Sequence, residues 1–283
     1  MTSISHNLTG KIDEKTVAIL SEIDAIARDL KLAFFIVGAT ARDILLQHAN
    51  GIQTTRATLD VDIGVFISDW DQFITLKEAL VHTGKFSLTR QAQRLLFEDE
   101  LLLDIIPFGG IEKDHSIAWP PEYDTEMSVA GFQECYQHAV SVLVRTEPDL
   151  IVKVASLAGL AILKLVSWDD SIERRGKDAA DLIFIMKNYI TAGNMDRFFE
   201  EADILKEEES DYDRSSARFV GREIARMADQ TTKAKLAGIL EREVASSQGH
   251  QIAMDVLKRK AVHKEPYEQV VEYFNALRRG LLD

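Results

Sequence analysis

The chain has one cysteine in 283 residues, Cys135, so an internal disulfide is excluded and a reducing, cytoplasmic setting is expected. Proline is scarce and unevenly spread. Four of the five (Pro107, Pro120, Pro121, Pro148) fall between 107 and 148, and only Pro266 follows. No apolar run approaches the roughly 20 residues that span a bilayer. The longest, Leu150 to Trp168, is broken by Lys153 and Lys164. The N-terminus to Lys15 is polar and carries no apolar signal-peptide core, so neither secretion nor a membrane partner is expected. The seven histidines have no metal-ligand spacing. No zinc pattern, Ser–His–Asp arrangement or internal repeat is present.

Basic charge is also short. Lys and Arg number 33 against 46 Asp and Glu, a net charge of −13 and a pI near 5.1. That excludes a protein coated with positive charge for non-specific nucleic-acid binding, although not a local basic groove. The deficit is lopsided. Residues 1–150 hold 12 basic and 23 acidic side chains, a net −11, while residues 151–283 hold 21 and 23, a net −2.

Hydrophobic periodicity divides the chain into an α/β part, 1–148, and a helical part, 149–283. A helix is predicted over Lys11–Leu30 from Val17, Leu20, Ile23, Ala27 and Leu30. Leu32–Val37 reads as a buried strand, with Thr40 capping a helix through His48. Asp60–Phe66 alternates and reads as a strand, and Trp70–His82 as a helix. Phe86–Leu88, Arg94–Phe97 and Leu101–Ile106 read as an antiparallel set, with Val142–Arg145 as a further strand. Helices are expected at Leu150–Ser167, Asp178–Tyr189, Asn194–Ile204, Ser215–Ala228, Thr232–Ser247 and Pro266–Arg279. The acidic run Glu207–Asp213 reads as solvated, and Trp70, Trp119 and Trp168 as packing residues. The fold class is α+β, with a mixed or antiparallel sheet followed by helices.

The chemistry centres on Asp60-Val61-Asp62. Residues i and i+2 of a strand share a face, so the two carboxylates repel unless a cation lies between them. Surface aspartates on a solvated strand also fit this pair taken alone. Gly64 continues that face and leaves room for a substrate. Asp104, a lone acid in the apolar stretch Leu101–Ile106, adds a third carboxylate if its strand lies alongside. It then serves as the base or the ligand nearest an attacking hydroxyl. Three converging carboxylates match a two-metal phosphoryl-transfer site. Val37-Gly38-Ala39-Thr40 links strand to helix through small residues that let phosphate approach the backbone, though such turns also occur without a ligand.

Gly38-Ala39, Asp60-Val61-Asp62 and Asp104 resemble the hG[GS]…Dh[DE]h…hDh pattern of the DNA polymerase β nucleotidyltransferase superfamily. Arg56-Ala57-Thr58-Leu59-Asp60-Val61-Asp62 resembles the R-x-T-x-D-x-D of AbiEii-type nucleotidyltransferase toxins. Lys164 and Arg174-Arg175-Gly176-Lys177-Asp178-Ala179-Ala180-Asp181 resemble their K…R…KDxxD stretch. Val37–Leu46 is similar to the G-G-x-V-R-D-x-L-L segment of CCA-adding enzymes, without the second Gly. Two features depart from the superfamily pattern: Ala39 stands where a Ser is common, and the interval to Asp60 is long. The resemblance implies a polymerase-β-like domain holding two Mg2+ ions (or Mn2+) on Asp60, Asp62 and Asp104. A nucleoside triphosphate would be bound by Gly38, Ala39, Thr40, Arg42, Arg56, Lys164, Lys177, Asp178 and Asp181, with Lys164 also acting in catalysis. It further implies NMP transfer to a hydroxyl, in some members on the acceptor end of tRNA, within a toxin–antitoxin or phage-defence system with a cognate antitoxin. A protein or small-molecule acceptor, and an inactive regulatory homologue, stand as alternatives. Lys164 with Asp178 and Asp181 also fits a structural ion pair between two helices, and Arg56 a solvated loop. Lys258-Arg259-Lys260 and Arg278-Arg279 are basic patches suited to guiding RNA.

Overall fold

The structure is a computed structural model that describes residues 4–54, 60–244, 250–259 and 265–283. It forms two compact units, Met1–Ser156 and Leu157–Asp283.

The first unit is built on an eight-stranded mixed sheet: β1 (His6–Asn7), β2 (Ala33–Val37), β3 (Asp60–Ile67), β4 (Phe86–Leu88), β5 (Arg94–Phe97), β6 (Leu101–Gly109), β9 (Val140–Thr146) and β10 (Asp149–Val154), in the order β1-β9-β10-β2-β3-β6-β5-β4. A separate hairpin pairs β7 (Ser116–Ala118) with β8 (Glu126–Ser128). Strand β3 is central, antiparallel to β2 and parallel to β6. Helix α1 (Glu14–Leu30) starts where the Asp13 carboxylate accepts the Thr16 N–H at 2.9 Å, and it buries Ile19, Leu20, Ile23 and Ala27. Asp69 caps α3 (Trp70–His82) in the same way through Gln72. Helix α1 packs against α3, β2 and β10. On the face that carries Asp60 and Asp62, the far end of β3 is closed by an aromatic cluster. Phe35 and Phe108 meet Phe132 and Tyr136 of α4 (Phe132–Gln137) edge-on or tilted, with centroids 5.7–6.1 Å apart.

Two expectations change here. Leu150–Val154 is strand, not helix. Its Leu150, Val152 and Val154 alternate inward and pair with β9. The following apolar helix, α5 (Leu157–Asp170), begins without a Gly or Pro to mark the boundary, so the two read as one apolar run. The two compact units divide after Ser156. Thr40 is not a cap either, because α2 (Gly38–Asp43) already begins at Gly38 and continues as a π-helical turn over Ile44–Ala49.

The second unit is helical: α5, α6 (Arg175–Asn188), α7 (Met195–Phe199), α8 (Ala202–Glu207), α9 (Tyr212–Met227), α10 (Gln230–Val244), α11 (Gln251–Leu257) and α12 (Tyr267–Leu282). Among the described residues no helix is long and apolar enough to cross a membrane. The acidic run is not solvated throughout. Glu208 is buried and accepts two hydrogen bonds from Arg279, at 2.9 and 2.6 Å, and one from Arg218. Helices α9 and α12 cross backbone to backbone. A Cβ on Gly221 would lie 2.2 Å from the Leu277 carbonyl oxygen, and one on Gly280 would lie 1.9 Å from that of Arg218. Helix propensity alone favours alanine at Gly280 by about 1 kcal/mol. The clash reverses that sign, and Gly280→Ala is expected to destabilise by about 1–3 kcal/mol in urea unfolding.

Candidate functional site

The register brings the three aspartates together. Asp62 is the direct partner of Asp104 across β3 and β6, and Asp60 lies two residues back on the same face. One carboxylate oxygen from each of Asp60, Asp62 and Asp104 falls within 4.8 Å of the others. Asp104 is buried, while Asp60 and Asp62 are half-buried and open to solvent. This donor set is all oxygen and all anionic, which fits a hard divalent cation.

Gly38 sits against this cluster. Its φ is +66°, and a Cβ there would lie 2.1 Å from Asp62 Oδ2 and 2.9 Å from Asp62 Cβ. Glycine is needed both for the backbone conformation and for the approach of the carboxylate. The Thr40 hydroxyl donates to the Asp60 carbonyl oxygen at 2.8 Å. That bond pins α2 to the first residue of β3. Ala39 is buried beside it. Arg42 is buried and donates from Nε (2.9 Å) and Nη2 (2.7 Å) to Asp43 Oδ1. Arg56 lies outside the described residues.

Gly64 does not open space for a substrate. It is buried, and a Cβ there would meet the Phe35 ring at 2.4 Å and Phe132 at 3.1 Å, so the aromatic cluster fills that position. A surface groove of about 430 Å³ beside α3, lined by Phe73, Ile74, Leu88 and Pro120 among others, contains none of the predicted residues.

Sequence reasoning missed Arg94. It is the direct cross-strand partner of Asp104 on β5. Its Nε donates to Oδ1 at 2.6 Å and its Nη2 to Oδ2 at 2.7 Å, a bidentate pair. The bond to Asp104 raises the guanidinium's pKa, and the charges of Asp60 and Asp62 add to the effect. An arginine on a short strand near a sheet edge reads like any surface residue. Only the register, once β5 is paired with β6, aims it at Asp104.

In the second unit, Lys164 on α5 is buried between Asp178 (2.7 Å) and Asp181 (2.8 Å) of α6, and Ser167 donates to Asp178 at 2.8 Å. Burial alone would lower the ammonium's pKa, but the two carboxylates outweigh it and push it up to about 12. A raised pKa means the contribution of the charged triad is complete below the ordinary lysine value. It is lost only as pH climbs towards 12, so stability from this source is flat across neutral pH. Lys164→Met leaves two buried carboxylates without their cation and is expected to cost about 3–5 kcal/mol in thermal unfolding. Lys177 is half-buried on the same helix. In the proposed basic patches Arg278 pairs with Glu241, Arg279 with Glu208 and Lys258 with Asp255, whereas Arg259 is exposed and Lys260 lies outside the described residues.

The molecule is thus an α+β protein with a mixed sheet, an acidic triad on its central strands and a helical second unit. No family model and no curated protein matches it. Among solved structures it is similar to the antibiotic-resistance factor ANT(2'')-Ia, at 16% identity over 70% of this chain and 98% of that one, with a TM-score of 0.38. It is similar to a CCA-adding enzyme in complex with ATP at 15% identity, over 96% of this chain and 69% of that one, with a TM-score of 0.35. For the Thermotoga maritima CCA-adding enzyme complexed with tRNA, the values are 12%, 96%, 82% and 0.28.

Proposed function

We propose that this chain is a divalent-metal-dependent nucleotidyltransferase. The observation that carries the reading is the convergence of Asp60, Asp62 and Asp104, with carboxylate oxygens within 4.8 Å, against a glycine turn that only Gly38 can make. In the proposed reaction an acceptor hydroxyl oxygen bonds to the α-phosphorus of a nucleoside triphosphate. The bond from that phosphorus to the bridging oxygen breaks, and pyrophosphate leaves. Asp60, Asp62 and Asp104 would hold Mg2+ or Mn2+, which when bound supplies Lewis-acid charge to the phosphates and the nucleophile. Each Asp104 oxygen accepts one bond from Arg94 and keeps a lone pair, so Asp104 can still act as the resemblance implies, as the metal ligand nearest the acceptor hydroxyl or as the base that takes its proton. Gly38 packs on Asp62, and Gly38, Ala39 and Thr40 would bind the nucleotide's phosphates as the resemblance implies. Arg42, Arg56, Lys164, Lys177, Asp178 and Asp181 keep their proposed nucleotide-binding roles on the family resemblance.

The resemblance to AbiEii-type toxins supports an RNA acceptor, the acceptor end of tRNA, and a role beside an antitoxin. One observation favours a second reading, a protein or small-molecule hydroxyl. Three of the basic side chains that could track RNA, Lys258, Arg278 and Arg279, pair with Asp255, Glu241 and Glu208 within their own unit. The experiment is incubation with α-labelled nucleoside triphosphates, Mg2+ and total RNA or lysate, resolved on a denaturing gel. Label in RNA supports the first reading, and label in protein or a small molecule the second. No incorporation, equal to that of an Asp62→Asn control, defeats both.

A further inference from the structure

The three-aspartate cluster contains its own cation. Three carboxylates this close repel one another strongly in a partly buried setting, yet the sheet places them together without distortion of the β3–β6 register. Arg94 stands in the same cross-strand row as Asp62 and Asp104. Its fork engages both oxygens of Asp104, and its side chain is about one-quarter exposed while that of Asp104 is almost wholly covered. A guanidinium so placed does two things at once. It neutralises part of the cluster, which weakens the pull on any further cation. It also fixes the plane of the Asp104 carboxylate, because two parallel N–H···O bonds leave that group no free rotation.

We propose that Arg94 is a resident counter-cation among the described residues of the site and the positioning residue for Asp104: it helps hold the cluster together without metal, at the cost of weaker metal binding, and presents Asp104 in one orientation to the acceptor hydroxyl. This rests on the metal-site reading above. The positive charge and the fork are separable. Lysine keeps the charge but not the fork. Glutamine keeps hydrogen-bonding capacity without charge, and alanine removes both.

The test follows Mn2+ binding to the metal-free protein by electron paramagnetic resonance, with thermal unfolding in EDTA and with Mn2+ alongside. Arg94→Ala is expected to bind Mn2+ about tenfold more tightly than the parent, since a unit charge a few ångströms away is lost. It should unfold at a lower temperature in EDTA and recover more on adding Mn2+ than the parent does. Arg94→Gln makes the same comparison if the alanine variant does not fold in EDTA. Arg94→Lys should bind Mn2+ within about threefold of the parent, yet lose kcat with the KM for nucleotide unchanged, because a point charge cannot hold both oxygens. Binding by the parent that stays equal or weakens in both uncharged variants overturns this proposal and leaves the metal site standing. Absence of Mn2+ binding by the parent and all variants overturns the metal reading, and this proposal with it.

Discussion

Asp62→Asn is expected to lower nucleotidyl transfer by about 10³-fold, roughly 4 kcal/mol of barrier, and to remove most of the stabilisation that added Mg2+ gives. The substitution keeps the shape of the side chain and removes its charge. Asp62 is the central carboxylate. It faces Asp104 across β6, lies two residues from Asp60 and packs on Gly38. At separations under 4.8 Å and an effective dielectric near 20, each like-charge pair costs upwards of about 3 kcal/mol, reduced by water at half-exposed Asp60 and Asp62 and offset in part by Arg94. Removing one charge relieves that repulsion and takes away a metal ligand, so the gain in unfolding temperature from added Mg2+ should shrink. A purely structural aspartate would leave the response to Mg2+ unchanged. Differential scanning calorimetry with and without Mg2+, alongside the transfer assay, separates the two.

The triad was legible in the sequence because each step rested on a strong local rule. Period-2 alternation put Asp60 and Asp62 on one face, and a lone acid in Leu101–Ile106 stood out against its apolar neighbours. The alignment of Asp104 with Asp62 was conditional on strand order. That is a long-range property, since β3 and β6 are joined through α3, β4 and β5. What the sequence hid was of the same long-range kind. Arg94 acquires its meaning only from antiparallel pairing with Asp104. Gly64 read as open space because nothing local tells that Phe35, its cross-strand partner, folds its ring over that position. Glu208 read as solvated among its acidic neighbours, yet arginines from α9 and α12 converge on it. Strand β10 merged with α5 because no residue of special backbone geometry separates them. The pairing of Lys164 with Asp178 and Asp181 was foreseen as one alternative, and its burial means that removal of the lysine strands two carboxylates.

Gly38→Ala should be as damaging to transfer as loss of a carboxylate, although it adds a single methyl group. Two effects act together, and a control separates them. The first is backbone strain: at φ +66° an L-residue costs about 1–2 kcal/mol relative to glycine. The second is steric. The new Cβ would lie 2.1, 2.7 and 2.9 Å from the Oδ2, Cγ and Cβ of Asp62, so the whole side chain must move, not only its tip. Any such shift displaces the Asp62 carboxylate from its place opposite Asp104. We expect transfer to fall by about 10²–10³-fold and Mn2+ binding to be lost, with only about 1–3 kcal/mol removed from stability. Gly84→Ala supplies the control. Gly84 has a similar φ of +75°, but a Cβ there would meet nothing within 4 Å. It should reproduce the stability loss without touching activity or metal binding. If the two variants lose activity alike, backbone strain and general destabilisation explain the effect, and the contact between Gly38 and Asp62 is not what holds the site in shape. If only Gly38→Ala loses Mn2+, the turn after β2 is part of the metal site's architecture, set by where a neighbouring carboxylate needs to stand.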